Sequence, residues 1–258
     1  MTDHVTSADL NGVRTIRFNR PDKKNALTRA MYTAAAEALE SGDTDSAVRV
    51  FVLGGQDGMF TAGNDLIDFM EAPPHIGAAE TPPVERFMRA LLNATKPVIA
   101  EVDGVAVGIG TTLLMHCDLA YASDRALFKT PFVDLALAPE YASSLLFPAR
   151  LGRSPASELL LLGDVWGAAR ARETGLVSDV FSADQLPGEV RKRAEALAQK
   201  SPAALRQAKA LMSSEPDSIS DRINREGGIF AEMLQSPEFA EAATAFMERR
   251  KPDFSKFG

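Results

Sequence analysis

Cysteine is almost absent from the sequence, since Cys117 is the single one among 258 residues. One thiol excludes an intrachain disulfide and a cysteine-based zinc site, and it fits a reducing compartment. The three histidines, at positions 4, 75 and 116, are scattered without the spacing of metal ligands. The sequence therefore predicts no metal site and no disulfide framework.

Basic charge is also scarce, with 28 Lys and Arg against 35 Asp and Glu and a net charge of −7. Nucleic-acid-binding proteins usually carry a basic patch, so this balance argues against that class. No apolar run approaches the roughly 20 residues that span a bilayer. The first ten residues, MTDHVTSADL, lack the charged and apolar regions of a signal peptide. We therefore expect no nucleic-acid or membrane partner, and a cytoplasmic location.

Strand and helix patterns alternate in the first half of the chain. Apolar residues at helical spacing predict a helix over residues 28–40, ended by the Ser-Gly-Asp sequence that follows. Runs of β-branched and aromatic residues predict strands at residues 13–18, 48–53, 97–102, 119–122 and 126–129. The alternation indicates an α/β fold with buried strands. Residues 71–83 are rich in Pro and Ala and predict a mobile loop beside any site.

The last third of the sequence is mainly helical in pattern. Helices are predicted for residues 189–200, 202–213, 219–234 and 237–249. Pro202 and Pro237 each follow a serine, which is typical of an N-cap followed by Pro at the first helical position. We therefore predict a core over residues 1–200 and a helical C-terminal region over residues 201–258.

A first candidate motif, residues 59–66 (MFTAGNDL), follows a predicted strand and a Gly-rich turn. Ala62 and Gly63 are small enough to let a ligand approach the backbone closely. The alternative is an ordinary strand-to-helix turn capped by Asn64 or Asp65, both of them favoured capping residue types. This segment alone leaves both interpretations open.

A second motif, residues 103–112 (DGVAVGIGTT), joins a strand to an apolar helix predicted at residues 111–117. The helix start leaves N–H groups unpaired, and such groups favour an anion or a developing oxyanion. Its glycines do not give the dinucleotide fingerprint, although they resemble the G-x-x-x-G-x-G turn of short-chain dehydrogenases. Those enzymes need a Tyr-x-x-x-Lys pair, whereas here Tyr121 is followed by Arg125 and Tyr141 by Leu145. The dehydrogenase interpretation therefore fails.

A third motif, residues 129–144, contains the lone carboxylate Glu140 between an apolar stretch and small residues. Apolar surroundings would raise the pKa of this carboxyl group and suit it to act as a general base near neutral pH. The alternative is an exposed carboxylate that complements a helix N-terminus.

Taken in this order, the motifs resemble those of the crotonase superfamily, the enoyl-CoA hydratases and isomerases. The resemblance runs through residues 18–27 (FNRPDKKNAL), 60–66, 96–104 and 176–177, and so covers at least two thirds of the chain. It implies a spiral of repeated ββα units, with a helical C-terminal region that drives trimer formation. A homotrimer or hexamer is the expected assembly.

The resemblance also implies how an acyl-CoA thioester is bound. The thioester oxygen would lie between the N–H groups of Asn64 and Ile109, which follow Gly63 and Gly108. Ile109 departs from the glycine that is usual at its position, and its β-branched side chain would restrict the geometry. The CoA moiety would lie near Lys24, Ala62, Asp65 and Leu66. No cofactor is expected beyond the coenzyme A of the substrate.

The two glutamates of a hydratase of this superfamily are both missing. Thr112 and Phe132 stand at their positions, and adding water across a double bond needs acid/base groups there. The sequence around Thr130-Pro-Phe and Glu140 looks like the peroxisomal-type 3-enoyl to 2-enoyl-CoA isomerases, in which the matching glutamate is the base. Phe132, with Leu135 and Leu137, would line the acyl pocket.

The resemblance therefore implies an isomerase that converts a 3-enoyl-CoA to the trans-2-enoyl-CoA through a dienolate, with Glu140 carrying the proton from C2 to C4. The alternatives are a hydratase-like enzyme, a hydrolase or lyase acting on acyl-CoA, and a non-catalytic protein that binds CoA esters or RNA. The acidic charge balance gives little support to the RNA-binding alternative.

Overall fold

The predicted strands are present in the computed structural model, which describes residues 3–56, 58–75, 79–214 and 217–257. The strands are β1 (Val5–Leu10), β2 (Val13–Phe18), β3 (Val50–Gly55), β4 (Val98–Val102), β5 (Val105–Val107), β6 (Leu119–Ser123), β7 (Leu127–Lys129), β8 (Trp166–Gly167) and β9 (Asp179–Phe181). The helices are α1 (Arg29–Thr44), α2 (Leu66–Glu71), α3 (Pro83–Asn93), α4 (Ile109–Thr112), α5 (Ser143–Leu151), α6 (Arg153–Ser157), α7 (Ala168–Thr174), α8 (Leu186–Ala198), α9 (Pro202–Ser213), α10 (Ile219–Met233) and α11 (Pro237–Met247).

Six strands form one sheet in the order β1-β2-β3-β4-β6-β9. All neighbours in this sheet are parallel except β1 and β2, which pair antiparallel. The central strands β3 and β4 are buried almost throughout, as expected for parallel strands covered on both faces. The α/β architecture predicted from the sequence is therefore confirmed.

The two faces of this sheet are covered by different helices. On one face the large core packs Leu53 and Phe51 with Leu39 of α1 and Phe87 of α3. The opposite face carries a smaller apolar cluster, in which α8 packs on Val52 and its neighbours. The loops that follow β3 and β5 lie at the carboxyl ends of these strands, where open α/β sheets place their ligand sites.

A second, three-stranded sheet in the order β5-β7-β8 stands next to the first. β5 follows β4 after two residues and pairs in parallel with β7. An isolated parallel bridge joins Thr61 to Ala106 and so ties the loop after β3 to β5. This sheet therefore holds the first and second sequence motifs side by side.

Several boundaries differ from the predicted ones for physical reasons. β1 was not predicted, because this edge strand is exposed at most of its positions and carries no apolar alternation. Helix α1 continues to Thr44 through Gly42, whose added Cβ would lie 2.5 Å from the Phe51 ring.

Helix α3 begins at Pro83, inside the predicted loop 71–83, of which residues 76–78 lie outside the described part of the chain. The helix expected from residue 111 starts at Ile109 and continues as a 3-10 turn.

The C-terminal helices follow the sequence pattern closely. Ser201 and Ser236 are the N-caps of α9 and α11, and their hydroxyls accept hydrogen bonds from Ala204 N–H and Phe239 N–H. Both capping predictions are confirmed, while the division of the chain at residue 200 stays a prediction. Among the helices of the described residues, none has both the length and the apolar character that a bilayer crossing requires.

Candidate functional site

The first motif is held between two backbone neighbours. On one side Leu27 N–H donates to Gly63 O at 2.8 Å, and Asp65 N–H donates to Leu27 O at 2.9 Å. On the other side Thr61 N–H donates to Val105 O at 2.9 Å, and Val107 N–H donates to Thr61 O at 3.0 Å. Residues 61–65 therefore join the N-terminal motif to the glycine-rich second motif.

A buried asparagine, Asn25, stabilises the loop formed by residues 61–65. Asn25 is fully buried in the left-handed region at φ 54°, a conformation that Asn tolerates better than most residues. Its side-chain oxygen accepts from Arg20 N–H at 2.6 Å, and its side-chain nitrogen donates to Met59 O at 2.7 Å. Thr61 Oγ1 donates to Asn25 O at 2.7 Å. One amide thus supplies the donor and the acceptor that two loops need.

Two glycines shape the space between the loops. Gly63 has a φ of 88°, and a Cβ there would lie 2.7 Å from Val107 O, so the two backbones can approach only with glycine. Gly108 also has a positive φ, 56°, but a Cβ at this position would meet nothing within 4 Å. The space beside Gly108 is therefore open to a ligand.

Two backbone N–H groups at this junction have no role in the pairing. The bridge to Leu27 uses the carbonyl of residue 63 and the N–H of residue 65, which leaves the N–H of Asn64 directed away from Leu27. Ile109 is the first residue of α4, and its N–H has no acceptor in a preceding helical turn. The Ile109 side chain is packed in the core. Such N–H groups can donate to an anionic oxygen.

The two carboxyl oxygens of Glu140 differ in their hydrogen bonding. Thr112 Oγ1 donates to Glu140 Oε1 at 2.5 Å, whereas Glu140 Oε2 is buried without a partner among the described residues. Burial raises the pKa of this carboxyl group to about 7, and the hydrogen bond from Thr112 opposes the rise. Glu140 also precedes α5 by three residues and is largely enclosed, so the alternative of an exposed helix-terminal carboxylate is wrong. It is a carboxyl group that can exchange a proton near neutral pH.

An unusual turn follows Glu140. Tyr141 and Ala142 are both in the left-handed region, at φ 54° and 56°, which non-glycine residues rarely adopt in succession. Ser143 compensates by donating its N–H at 3.0 Å and its hydroxyl at 2.7 Å to Glu140 O. His116 stacks on the Tyr141 ring with centroids 3.7 Å apart, and its Nε2 lies 2.9 Å from Tyr141 O.

Sequence reasoning missed the roles of His116, Tyr141 and Asn25. In the sequence His116 is one of three scattered histidines, and Tyr141 is the first residue of an incomplete dehydrogenase pair. The lone His and Tyr carry no local spacing signal, because their contact joins residues 25 positions apart. Asn25 offered a weak signal, since Asn is one of the few residue types suited to a left-handed turn.

Of the residues expected to lie near CoA, only some are in direct contact with one another. Ala62 N–H donates to Lys24 O at 2.9 Å, so these two are neighbours, and the Lys24 and Leu66 side chains are exposed. Asp65 is the N-cap of α2, as the capping alternative predicted, and it pairs with Arg20 at 2.7 Å. The hydrogen bond from Arg20 lowers the pKa of Asp65. A contact of these residues with CoA stays a prediction.

The three apolar residues expected in an acyl pocket differ in exposure. Phe132 is buried in the core, whereas the Leu135 and Leu137 side chains are about half exposed, at 47% and 54%. A cavity of about 460 Å³ is lined by Tyr32, Phe69 and Val84 together with charged residues, and not by Phe132, Leu135 or Leu137. Lining of an acyl pocket by Phe132 therefore stays a prediction.

Other reactive groups offer little chemistry. Across residues 3–56, 58–75, 79–214 and 217–257, no three His, Cys, Asp or Glu side chains gather as a metal site requires. Burial raises the pKa of the Cys117 thiol to about 12, so it is not a nucleophile near neutral pH. The candidate site is therefore formed by Glu140 and the N–H groups of Asn64 and Ile109, which have no backbone acceptor among the described residues.

Comparison with known proteins finds similar sequences and structures. The model of the family "Enoyl-CoA hydratase/isomerase" matches residues 9–256. Enoyl-CoA delta isomerase 2 of Homo sapiens is 36% identical over 95% of this chain, which spans 63% of that protein's length. The 2,3-dehydroadipyl-CoA hydratase of Escherichia coli (strain K12) is 32% identical over 93% of both proteins. A solved structure from Magnetospirillum magneticum AMB-1, named an enoyl-CoA hydratase/carnithine racemase, is 43% identical, with a TM-score of 0.94 over 99% of this chain and 100% of that one.

Burial of Glu140 predicts a pH-dependent stability. The native pKa of about 7 lies above the unfolded value of 4.5, so the native state holds the extra proton between these values. The free energy of unfolding therefore falls by up to about 3 kcal/mol as the pH rises from about 4.5 to about 7. Glu140→Gln removes this loss, and urea unfolding near pH 8 should find the variant more stable than the parent. If the variant and the parent protein differed in free energy of unfolding by the same amount at about pH 5 and about pH 8, the raised pKa of Glu140 would be contradicted.

Proposed function

The chain belongs to the enoyl-CoA hydratase/isomerase family, and we propose that within it the protein converts 3-enoyl-CoA thioesters to trans-2-enoyl-CoA. The observation that carries the proposal is the arrangement around Glu140. Among the described residues this carboxyl group has one buried oxygen without a partner, and its other oxygen accepts from Thr112, a hydroxyl and not a second carboxylate. A double-bond shift needs one group that takes a proton and returns it nearby, whereas hydration needs groups that activate and split water.

In the proposed reaction the N–H groups of Asn64 and Ile109 form an oxyanion hole for the thioester oxygen. Each donor of this kind is typically worth about 3–4 kcal/mol in the transition state. Polarisation of the thioester weakens the C2–H bond, and Glu140 Oε2 takes that proton while the electron pair spreads over a dienolate. The protonated Glu140 then donates to C4, which leaves the double bond between C2 and C3. The reaction therefore needs no cofactor beyond the coenzyme A of the substrate.

The glycines of the two loops would let the thioester lie against the backbone. Gly63 permits the close approach of the two loops, and the open space at Gly108 would receive the acyl group near C1 to C4. We propose that the CoA moiety follows the surface formed by Lys24 and Ala62 and passes Asp65 and Leu66. In this arrangement the Asp65 carboxylate does not bind CoA directly, because it caps α2 and is already paired with Arg20. It supports the site by fixing the start of α2.

Separate incubation with 3-enoyl-CoA and with trans-2-enoyl-CoA tests the proposed function. An isomerase forms the conjugated thioester from the first substrate, so the absorbance of that chromophore rises, and it leaves the second unchanged. Loss of absorbance with trans-2-enoyl-CoA would instead indicate hydration, the activity in the name of the relative from Escherichia coli. Binding of both thioesters without any change would favour a non-catalytic role.

Glu140→Gln should lower kcat at least about a hundredfold, because the amide cannot take the C2 proton. The affinity for a saturated acyl-CoA, measured by calorimetry, should stay close to that of the parent protein. Glu37→Gln makes the same change on the exposed face of α1 and serves as the control. Near-normal turnover by the Glu140 variant would remove this residue from the mechanism.

We also propose that the chain associates with copies of itself through its C-terminal helices. Ile219, Ile223 and Phe230 lie on one side of α10, at spacings of four and seven residues, and their side chains are 63–82% exposed. None of the described residues of α10 is buried within the chain. An apolar stripe of this kind indicates a protein interface.

Phe230→Asp should therefore shift the mass measured by light scattering toward that of a single 27.7 kDa chain. Gly228→Asp introduces the same side chain on the opposite side of α10, where an added Cβ meets nothing within 4 Å. This control should keep the assembly of the parent protein. An assembly that is unaffected by Phe230→Asp would show that this side of α10 is not the interface.

A further inference from the structure

Tyr32 is fully buried beside the candidate site although no step of the proposed reaction uses it. We propose that Tyr32 is a positioning residue, whose hydroxyl holds the Asn64 side chain and thereby aims the Asn64 N–H at the thioester oxygen. The proposal rests on the proposed function only through the oxyanion role of that N–H group.

The ring of Tyr32 has little freedom to move. It lies in the first turn of α1, with Tyr32 N–H donating to Thr28 O at 3.0 Å, and its side chain is 2% exposed. The ring packs against Phe87 of α3, with centroids 5.6 Å apart and planes at 45°. Because α1 and α3 are packed against each other, the hydroxyl of Tyr32 has a defined position.

That hydroxyl makes a short hydrogen bond to Asn64 Oδ1. Burial, and then the nearby Glu140 and Asp68 carboxylates, raise the pKa of Tyr32 well above its ordinary value, so the phenol stays protonated and can donate. The carbonyl oxygen of the Asn64 amide therefore faces Tyr32, and its NH2 group faces away.

Asn64 is thus held at two points by one short segment of chain. Its flanking backbone groups pair with Leu27, and its side chain binds Tyr32, five residues further on. Gly63, which precedes Asn64, has a φ of 88°, in the region that glycine enters most readily, and the hydrogen bond from Tyr32 adds a side-chain restraint to the Leu27 pairing. A misplacement of about 1 Å in a catalytic group can cost about a hundredfold in rate.

A double-mutant cycle of Tyr32→Phe and Asn64→Ala separates positioning from mere structural support. Tyr32→Phe keeps the buried ring, and Asn64→Ala keeps the backbone N–H but removes the hydrogen-bond partner. With 3-enoyl-CoA as substrate, Tyr32→Phe should lower kcat about 10- to 100-fold and leave KM nearly unchanged. In the Asn64→Ala background the same change should alter kcat by less than about twofold, because the interaction is already lost.

Tyr121→Phe is the matched control, since it removes the hydroxyl of another buried tyrosine, in the cluster on the opposite face of the sheet. Its kcat should match that of the parent protein. Thermal unfolding of each variant shows whether the fold is retained. The positioning role would be overturned if the decreases in kcat caused by Tyr32→Phe and Asn64→Ala simply multiplied in the double variant. It would also be overturned if Tyr32→Phe had the same kcat as the Tyr121→Phe control.

A second readout makes this result independent of the isomerase proposal. Exchange of the C2 protons of a saturated acyl-CoA into heavy water, followed by NMR, needs only the base and the oxyanion donors. Exchange without isomerisation would overturn the proposed function and still test Tyr32 through the same cycle. Isomerisation with additive losses would overturn the positioning role alone, and absence of both reactions in the parent protein would overturn both.

Discussion

The hydrogen bonds on both sides of residues 61–65 are the constraint on which the site depends. One side pairs with Leu27 and the other with β5, so the loop is fixed between segments that are far apart in the chain. This double pairing satisfies the backbone groups around Asn64, whose own N–H has no acceptor within the part of the chain that the structure describes. Gly63 makes the arrangement possible, because any Cβ there would collide with Val107 O. The same close approach places Gly63 beside Val107 and Gly108, the residues that precede Ile109.

Burying the Glu140 carboxylate costs solvation free energy, which the surrounding structure partly offsets. Burial disfavours the charged form, and the single hydrogen bond from Thr112 restores only part of the lost solvation. The turn that follows adds two successive left-handed residues, Tyr141 and Ala142. Stacking on His116 and the two hydrogen bonds from Ser143 hold that turn in place. A carboxyl group with a pKa near 7 is useful in a proton shuttle because both of its protonation states are accessible.

Relatives named as isomerases and as hydratases resemble the chain to a similar degree, so overall identity does not separate them. The proposed isomerase activity depends instead on the side chains around Glu140. Thr112, its hydrogen-bond donor, is a hydroxyl and cannot act on water as a second carboxylate would.

The sequence by itself determined the α/β class, most of the strands and the serine caps of the C-terminal helices. These features depend on neighbouring residues, whose spacing and composition a single segment displays. Only the tertiary structure decided the pairing of β1, the contact of Thr112 with Glu140, the stacking of His116 on Tyr141 and the bond from Tyr32 to Asn64. Each of the side-chain contacts joins residues 25 to 32 positions apart, and β1 is set by backbone hydrogen bonds to its neighbour and not by an apolar pattern. Such interactions arise only when the folded core brings distant segments together, so no local pattern in the sequence encodes them.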